Sequence, residues 1–154
     1  MILGLDLASK TGWCFIDKRG NIIASGVQDF TKKRGESNGL MFLRFRKWLQ
    51  ELIKLSSEPV KLIGYEQAHF AGGGPTEICV GLQTHAQSMA AELEIESAPV
   101  HTGTLKKFAT GSGRASKDDM IAAASLILKR RPLDDNEADA VHLSLYLYNF
   151  YGGI

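Results

Sequence analysis

The stretch Met1-Ile-Leu-Gly-Leu-Asp6-Leu-Ala-Ser-Lys-Thr-Gly12-Trp13 sets one carboxylate inside an otherwise apolar run. Ile2, Leu3, Leu5 and Leu7 have the near-continuous hydrophobicity of a central strand covered on both faces. An aspartate in such a strand is costly to bury unless something positive meets it. Two readings follow. Asp6 either braces a turn at Lys10-Thr11-Gly12, or it holds a metal ion or a nucleophilic water at the strand's end. The rest of the chain must choose between them.

With 154 residues, 44% hydrophobic and 23% charged, the chain suits one compact domain over residues 1–154. Cys14 and Cys79 lie in apolar surroundings without CxxC or framework spacing, and no leader-like segment precedes the first strand, so a reducing cytoplasm is expected. No run approaches the roughly 18 apolar residues of a membrane span. Net charge is only +1, but its distribution is uneven. From Thr102 to Pro132, seven positive side chains (Lys106, Lys107, Arg114, Lys117, Lys129, Arg130, Arg131) stand against Asp118 and Asp119. A second basic group, Lys32-Lys33-Arg34 with Arg44, Arg46 and Lys47, stands against Glu36. Solvated helix faces account for Lys47, Lys54 and Lys129, while clustering of the others points to a polyanionic partner.

Along the chain, Trp13–Asp17 reads as a second strand and Lys18–Asn21 as a hairpin loop into a third, Ile22–Phe30, giving an antiparallel meander. From Leu40, apolar residues recur at helical intervals as far as Ser56-Ser57-Glu58-Pro59. Val60–Glu66 returns to strand character and again ends on an acid. The loop Gly72-Gly73-Gly74-Pro75 precedes a helix from about Thr76 to Leu93, started by Thr76 or Pro75, with Ile78, Leu82, His85, Met89 and Leu93 on one face. Ile78, Leu82 and Met89, with small Gly81 and Ala86, make this helix the expected homodimer contact. Ile95–Val100 reads as a fifth strand interrupted at Pro99. A short basic helix and glycine-rich turn span Thr102–Gly113, and Ser116 N-caps the next helix, with Asp118 and Asp119 in its first turn. Asp134 caps a last helix from Asp135 to about Phe150, with Ala138, Val141, Leu145 and Tyr148 on its core face and Asp139 beside it.

Acids thus close strands one and four and lie near the start of the last helix. If those strands are adjacent and parallel, Asp6 and Glu66 emerge at one end of the sheet, and a helix crossing that end adds Asp139. Clustered carboxylates need cations to stay ionised together, and hard ions such as Mg²⁺ or Mn²⁺ prefer oxygen ligands. Two such ions roughly 3.5–4 Å apart can activate water and stabilise a leaving oxygen in phosphodiester cleavage, with the basic regions as the nucleic-acid surface.

Gly4-Leu5-Asp6, Tyr65-Glu66-Gln67, the Gly111–Lys117 segment and Ala138-Asp139-Ala140 together resemble the RuvC family of Holliday-junction resolvases. The resemblance spans nearly the whole chain and rests on the order and spacing of the four motifs. It implies an α/β, RNase H-like fold: a five-stranded mixed sheet, its first three strands antiparallel, flanked by helices. It implies a homodimeric, metal-dependent endonuclease that cuts opposed strands of a four-way junction and leaves 5′-phosphates. By position, Asp6, Glu66 and Asp139 correspond to metal ligands for two Mg²⁺ or Mn²⁺ ions, and Lys106 and Lys117 to basic residues near the scissile phosphate. Lys107, Arg114, Lys32, Lys33 and Arg34 are the further DNA-binding candidates. His69 and Phe70 fall in the loop where the family places an aromatic wedge; an exposed ring there would stack on an unpaired base, and a Phe70 buried in the core is the alternative reading.

Two positions depart from the family pattern. Ala8-Ser9-Lys10 stands where the family has a glycine soon after the first aspartate. Asn136 stands where it has Asp or His, so either the Asn136 amide oxygen or the Asp135 carboxylate is the candidate fourth ligand. Glu137 reads as a solvated acid. His85 reads as a core or interface histidine, and His101 and His142 lack metal-like partners by spacing. Two rivals remain: a nonenzymatic junction binder, in which Asn136 marks a decayed site, and an actin- or sugar-kinase-like nucleotide-binding domain, which needs a second such domain around its cleft. Fork and flap substrates are indistinguishable from four-way junctions at this level.

Overall fold

Period-two alternation sends Ile2, Gly4 and Asp6 to one face of their strand and Leu3 and Leu5 to the other. In the computed structural model, which describes residues 1–68 and 73–152, that strand is β1 (Ile2–Asp6), at the centre of a five-stranded sheet. It runs antiparallel to β2 (Lys10–Ile16), which pairs antiparallel with β3 (Ile22–Asp29). On its other side β1 is parallel to β4 (Leu62–Glu66), itself parallel to β5 (Glu96–Val100). The order is β3-β2-β1-β4-β5, the mixed α/β sheet with an antiparallel first trio that the motifs imply.

Helices α1 (Asn38–Lys54) and α2 (Gly74–Glu92) cover one face. There Leu3, Leu5, Ile63 and Tyr65 pack with Met41, Phe45, Leu49, Leu82 and Met89. Helices α3 (Thr102–Thr110), α4 (Lys117–Leu128) and α5 (Asp135–Tyr151) cover the other, where Ile2, Leu62 and Val100 meet Leu105, Met120, Leu143 and Leu147. Among the described residues no helix is long and apolar enough to cross a membrane.

Local differences from the sequence reading have local causes. Lys10-Thr11-Gly12 is strand rather than turn. The chain reverses over residues 7–9, where buried Thr11 donates its hydroxyl to the Ala8 carbonyl at 2.7 Å and the Phe30 amide donates to Ser9 at 2.7 Å. Asp6 is thereby paired with Gly12 across the ladder, and the turn is closed without its carboxylate. Helix α2 starts at Gly74, before Thr76, because Pro75 suits a first helical turn, where its missing N–H costs no bond. Pro99 sits within β5 opposite Tyr65, as an edge strand permits.

The apolar stripe of α2 is used within the protomer. Leu82 and Met89, expected at a dimer contact, are 0% and 4% exposed in this chain's own core. A β-carbon on Gly81 would lie 2.2 Å from the Phe42 ring, so this glycine admits α1. The exposed positions of α2 include Glu77, Thr84, Gln87, Ser88 and Glu92, a polar surface.

Candidate metal centre

Asp6 and Glu66 are the last residues of adjacent parallel strands, one step beyond the Leu5–Tyr65 pair. Alternation puts both on the face covered by α5. Three glycines let that helix come close. A β-carbon on Gly12 would stand 1.9 Å from the Asn136 carbonyl oxygen, one on Gly4 2.8 Å from that of Ala140, and one on Gly64 1.9 Å from Leu147 Cδ1. Asn136, Ala140, Ser144 and Leu147 form one helical stripe lying on these glycines. The Ser144 hydroxyl adds a bond to the Cys14 carbonyl at 2.9 Å. Asp139, beside the stripe in the first turns of α5, is carried to the strand ends. Ligand atoms of Asp6, Glu66 and Asp139 all lie within 4.8 Å of one another.

The electrostatics of the group are set by burial and by mutual repulsion of its carboxylates. Burial, then the neighbouring Asp139 and Glu66 charges, push the Asp6 carboxyl well above its ordinary value. Asp139 is pushed up to about 7, first by burial and then by Glu66 and Asp135, with Lys106 and Lys117 opposing. Three converging carboxylates, of which Asp6 and Asp139 resist ionisation, fit a hard, oxygen-seeking dication, whose charge would offset the repulsion.

Two clefts meet at Glu66. One, of about 300 Å³, is walled by Leu7, Ala8, Pro75, Thr76 and Cys79 and opens onto Asp6. The other, of about 190 Å³, contains Thr102, Lys106, Lys117 and Asp139. The two candidate lysines therefore share a cavity with two of the candidate ligands. Lys106 is partly buried on α3, whereas Lys117 is 82% exposed and lies 3.3 Å from Asp135.

The remaining acidic candidates have other partners. Asp135 faces Lys117, and the Asn136 amide donates to Asp134 at 3.1 Å. Glu137, expected in solvent, is 0% exposed. Its carboxylate accepts from Ser25 at 2.7 Å, from the Arg130 guanidinium at 2.5 Å and from the Leu133 amide at 2.5 Å. Burial opposes its ionisation, but Arg130, Leu133 and Ser25 outweigh burial and hold the carboxyl below its ordinary value. Glu137 thus ties the start of α5 to β3 and to the α4–α5 connection.

Lys107 and Arg114 are exposed on and after α3. Lys33 and Arg34 are exposed in the loop before α1, and Lys32 donates to Asn38 at 2.5 Å. Arg44 is taken by Glu36 and Arg46 by Glu92, which removes two cations from that basic group. His69 and Phe70 lie outside the described residues. His101 caps α3, its Nδ1 accepting from Gly103 at 3.1 Å, and buried His142 bonds the Met120 carbonyl at 2.9 Å. His85 lies against the Phe42 ring.

Two residues that the sequence reading did not assign to the site reach it. Cys79 lines the first cleft. Thr102 donates its hydroxyl to Glu66 Oε1 at 2.5 Å. Neither carries a sequence motif. The available signal was topological, since β5 lies beside β4 with Val100 opposite Glu66, two residues before Thr102.

No protein-family model and no curated protein matches this chain. Solved structures do. A Thermus thermophilus RuvC structure superposes at a TM-score of 0.75 with 16% identity, covering 96% of this chain and 94% of that one. T. thermophilus RuvC in complex with Holliday junction substrate superposes at 0.78 with 16% identity, covering 97% and 93%. Over nearly its whole length, this chain has the fold of RuvC.

Proposed function

We propose that this chain is a divalent-metal-dependent, structure-selective DNA endonuclease, one RNase H-like nuclease domain that hydrolyses phosphodiesters in four-way junctions or related branched DNA and leaves 5′-phosphates. The observation that carries this reading is the Asp6, Glu66 and Asp139 group, drawn within 4.8 Å at the end of the sheet, beside a cavity holding Lys106 and Lys117. The fold shared with a junction-bound RuvC structure supports branched DNA as the substrate class.

In this reading the three carboxylates hold Mg²⁺ or Mn²⁺, two ions per site. When bound there, such ions would supply an activated water and stabilisation of the leaving oxygen. Lys106 and Lys117 orient the scissile phosphate and stabilise charge developing on it. Exposed Lys107, Arg114, Lys33 and Arg34, with Lys32, attract the flanking backbone, so affinity falls with salt. The protein acts in the cytoplasm as a homodimer, which places two such centres on opposed strands. Its contact uses a surface other than Leu82 and Met89.

The test offers four-way, three-way, flap and linear DNA to the protein with and without Mg²⁺ or Mn²⁺. Metal-dependent cutting of branched substrates in preference to linear DNA is expected. Junction binding without cleavage in either metal would instead establish a nonenzymatic binder, and ATP binding would favour the nucleotide-binding architecture.

A further inference from the structure

We propose that Thr102 is a positioning residue of the metal centre, its hydroxyl holding the Glu66 carboxylate and tying that ligand to the helix that carries Lys106. The inference rests on the metal-centre reading above. Asp6 and Asp139 have short side chains, placed by β1 and by the close seat of α5. Glu66 has one more rotatable bond and sits at the open end of β4, where two clefts meet. Without an anchor its carboxylate would sample several rotamers, and each cation binding event would have to order it.

The anchor is built by the topology. Val100 of β5 lies opposite Glu66, so the chain leaves the sheet beside this ligand and enters α3 at Thr102. His101 caps the helix through Gly103, which sets the first turn. From there the Thr102 hydroxyl reaches Glu66 Oε1 at 2.5 Å. A carboxylate has about four lone-pair sites, so one donated hydrogen bond orients it and leaves the others for a cation. Hydrogen bonds of this kind from outside the ligand set orient metal-binding side chains and raise affinity. Lys106 lies at i+4 from Thr102, on the same helical face, and both line the cavity with Asp139. One contact thereby fixes a ligand and the spacing of Lys106 from it.

The test compares Thr102→Val, which keeps the shape and removes the donor, with Thr102→Ser, which keeps the donor. Mn²⁺ binding to the DNA-free protein is measured by calorimetry. Thermal melting and four-way-junction affinity in EDTA are followed in parallel. Thr102→Val should raise the Mn²⁺ dissociation constant roughly ten-fold or more, with Thr102→Ser within about three-fold of wild type. Melting temperature and junction affinity should be unchanged in both. Wild-type Mn²⁺ affinity in Thr102→Val, or equal weakening in both variants, overturns the proposal. Glu66→Gln separates this from the underlying reading. If Glu66→Gln weakens Mn²⁺ binding and Thr102→Val does not, only the role of Thr102 fails. If the wild type binds no Mn²⁺, or Glu66→Gln binds it equally well, the metal centre fails and Thr102 with it.

Discussion

The Asn136 carbonyl oxygen occupies space that a side chain on Gly12 would need, 1.9 Å from the position of its β-carbon. The obstacle is backbone at the start of α5, and no side-chain rotation relieves it. Gly12→Ala should therefore destabilise the protein by about 3 kcal/mol. It should also weaken metal binding, because the helix turn that moves carries Asp139. Urea unfolding and Mn²⁺ calorimetry on the same preparation check both effects.

Asp6→Asn, Glu66→Gln and Asp139→Asn should each abolish metal-dependent cleavage while retaining junction binding, since a lost ligand charge also lessens repulsion of phosphate. For Asp139 a gain accompanies the loss. Its carboxyl is pushed up to about 7, so forcing it to ionise at pH 8 strains the metal-free fold. Asp139→Asn should stabilise the metal-free protein at pH 8 by roughly 1–3 kcal/mol and have little effect at pH 4. Wild-type cleavage by any of the three variants would remove that residue from the site.

Metal-free stability should depend on pH in a direction set by the same acids. Asp6 and Asp139 have folded-state values above the ordinary 3.8, so the folded protein holds protons that the unfolded chain releases. Their contribution is fully present below pH 3.8 and is lost as pH rises towards about 7. Mn²⁺ should consequently raise the melting temperature more at pH 8 than at pH 5, and its binding near pH 6 should release protons. Calorimetry in buffers of different ionisation enthalpy measures that release.

Alanine at Lys106 or Lys117 should lower the single-turnover cleavage rate at saturating enzyme by roughly 10- to 100-fold. Both share a cavity with Glu66 and Asp139, and the exposed Lys117–Asp135 pair is too weak to prevent Lys117 from turning to a phosphate. A change confined to the DNA dissociation constant would make them ordinary phosphate contacts.

Asn136→Asp should lower the metal concentration for half-maximal cleavage, because it adds a carboxylate at the first turn of α5. Asp135→Asn should raise that concentration only modestly, by about two-fold, because its carboxylate adds charge near Asp6 and Asp139 while pairing with exposed Lys117. Cleavage rate against metal concentration decides both. A large rise for Asp135→Asn would show that this side chain turns inward when metal binds.

Asp6 and Glu66 were legible along the chain because a carboxylate closing an apolar strand violates the pattern around it, and two such violations at strand ends identify one edge of a sheet. The helices were legible from their spacing and caps, Ser116 and Asp134 among them. The partner of each polar group on α5 was not. This helix is covered on several sides, with Glu137, Ala138, Ala140, Val141, His142 and Leu143 all buried, so periodicity offers no solvent face on which to place an acid. Glu137 and Asp139 stand two residues apart. One is bonded to Arg130, while the other is raised by its carboxylate neighbours.

Sequence alone therefore determined the strand alternation, the helix caps and the two strand-end acids, all of which depend on neighbours a few residues apart. The tertiary structure decided that Asp139 joins them, that Asp135 faces Lys117 and that Thr102 meets Glu66. Those outcomes depend on how closely α5 can approach Gly12, Gly4 and Gly64, and on β5 lying beside β4. Contacts between residues distant along the chain are set by packing, and local pattern carries no record of which pairs will meet.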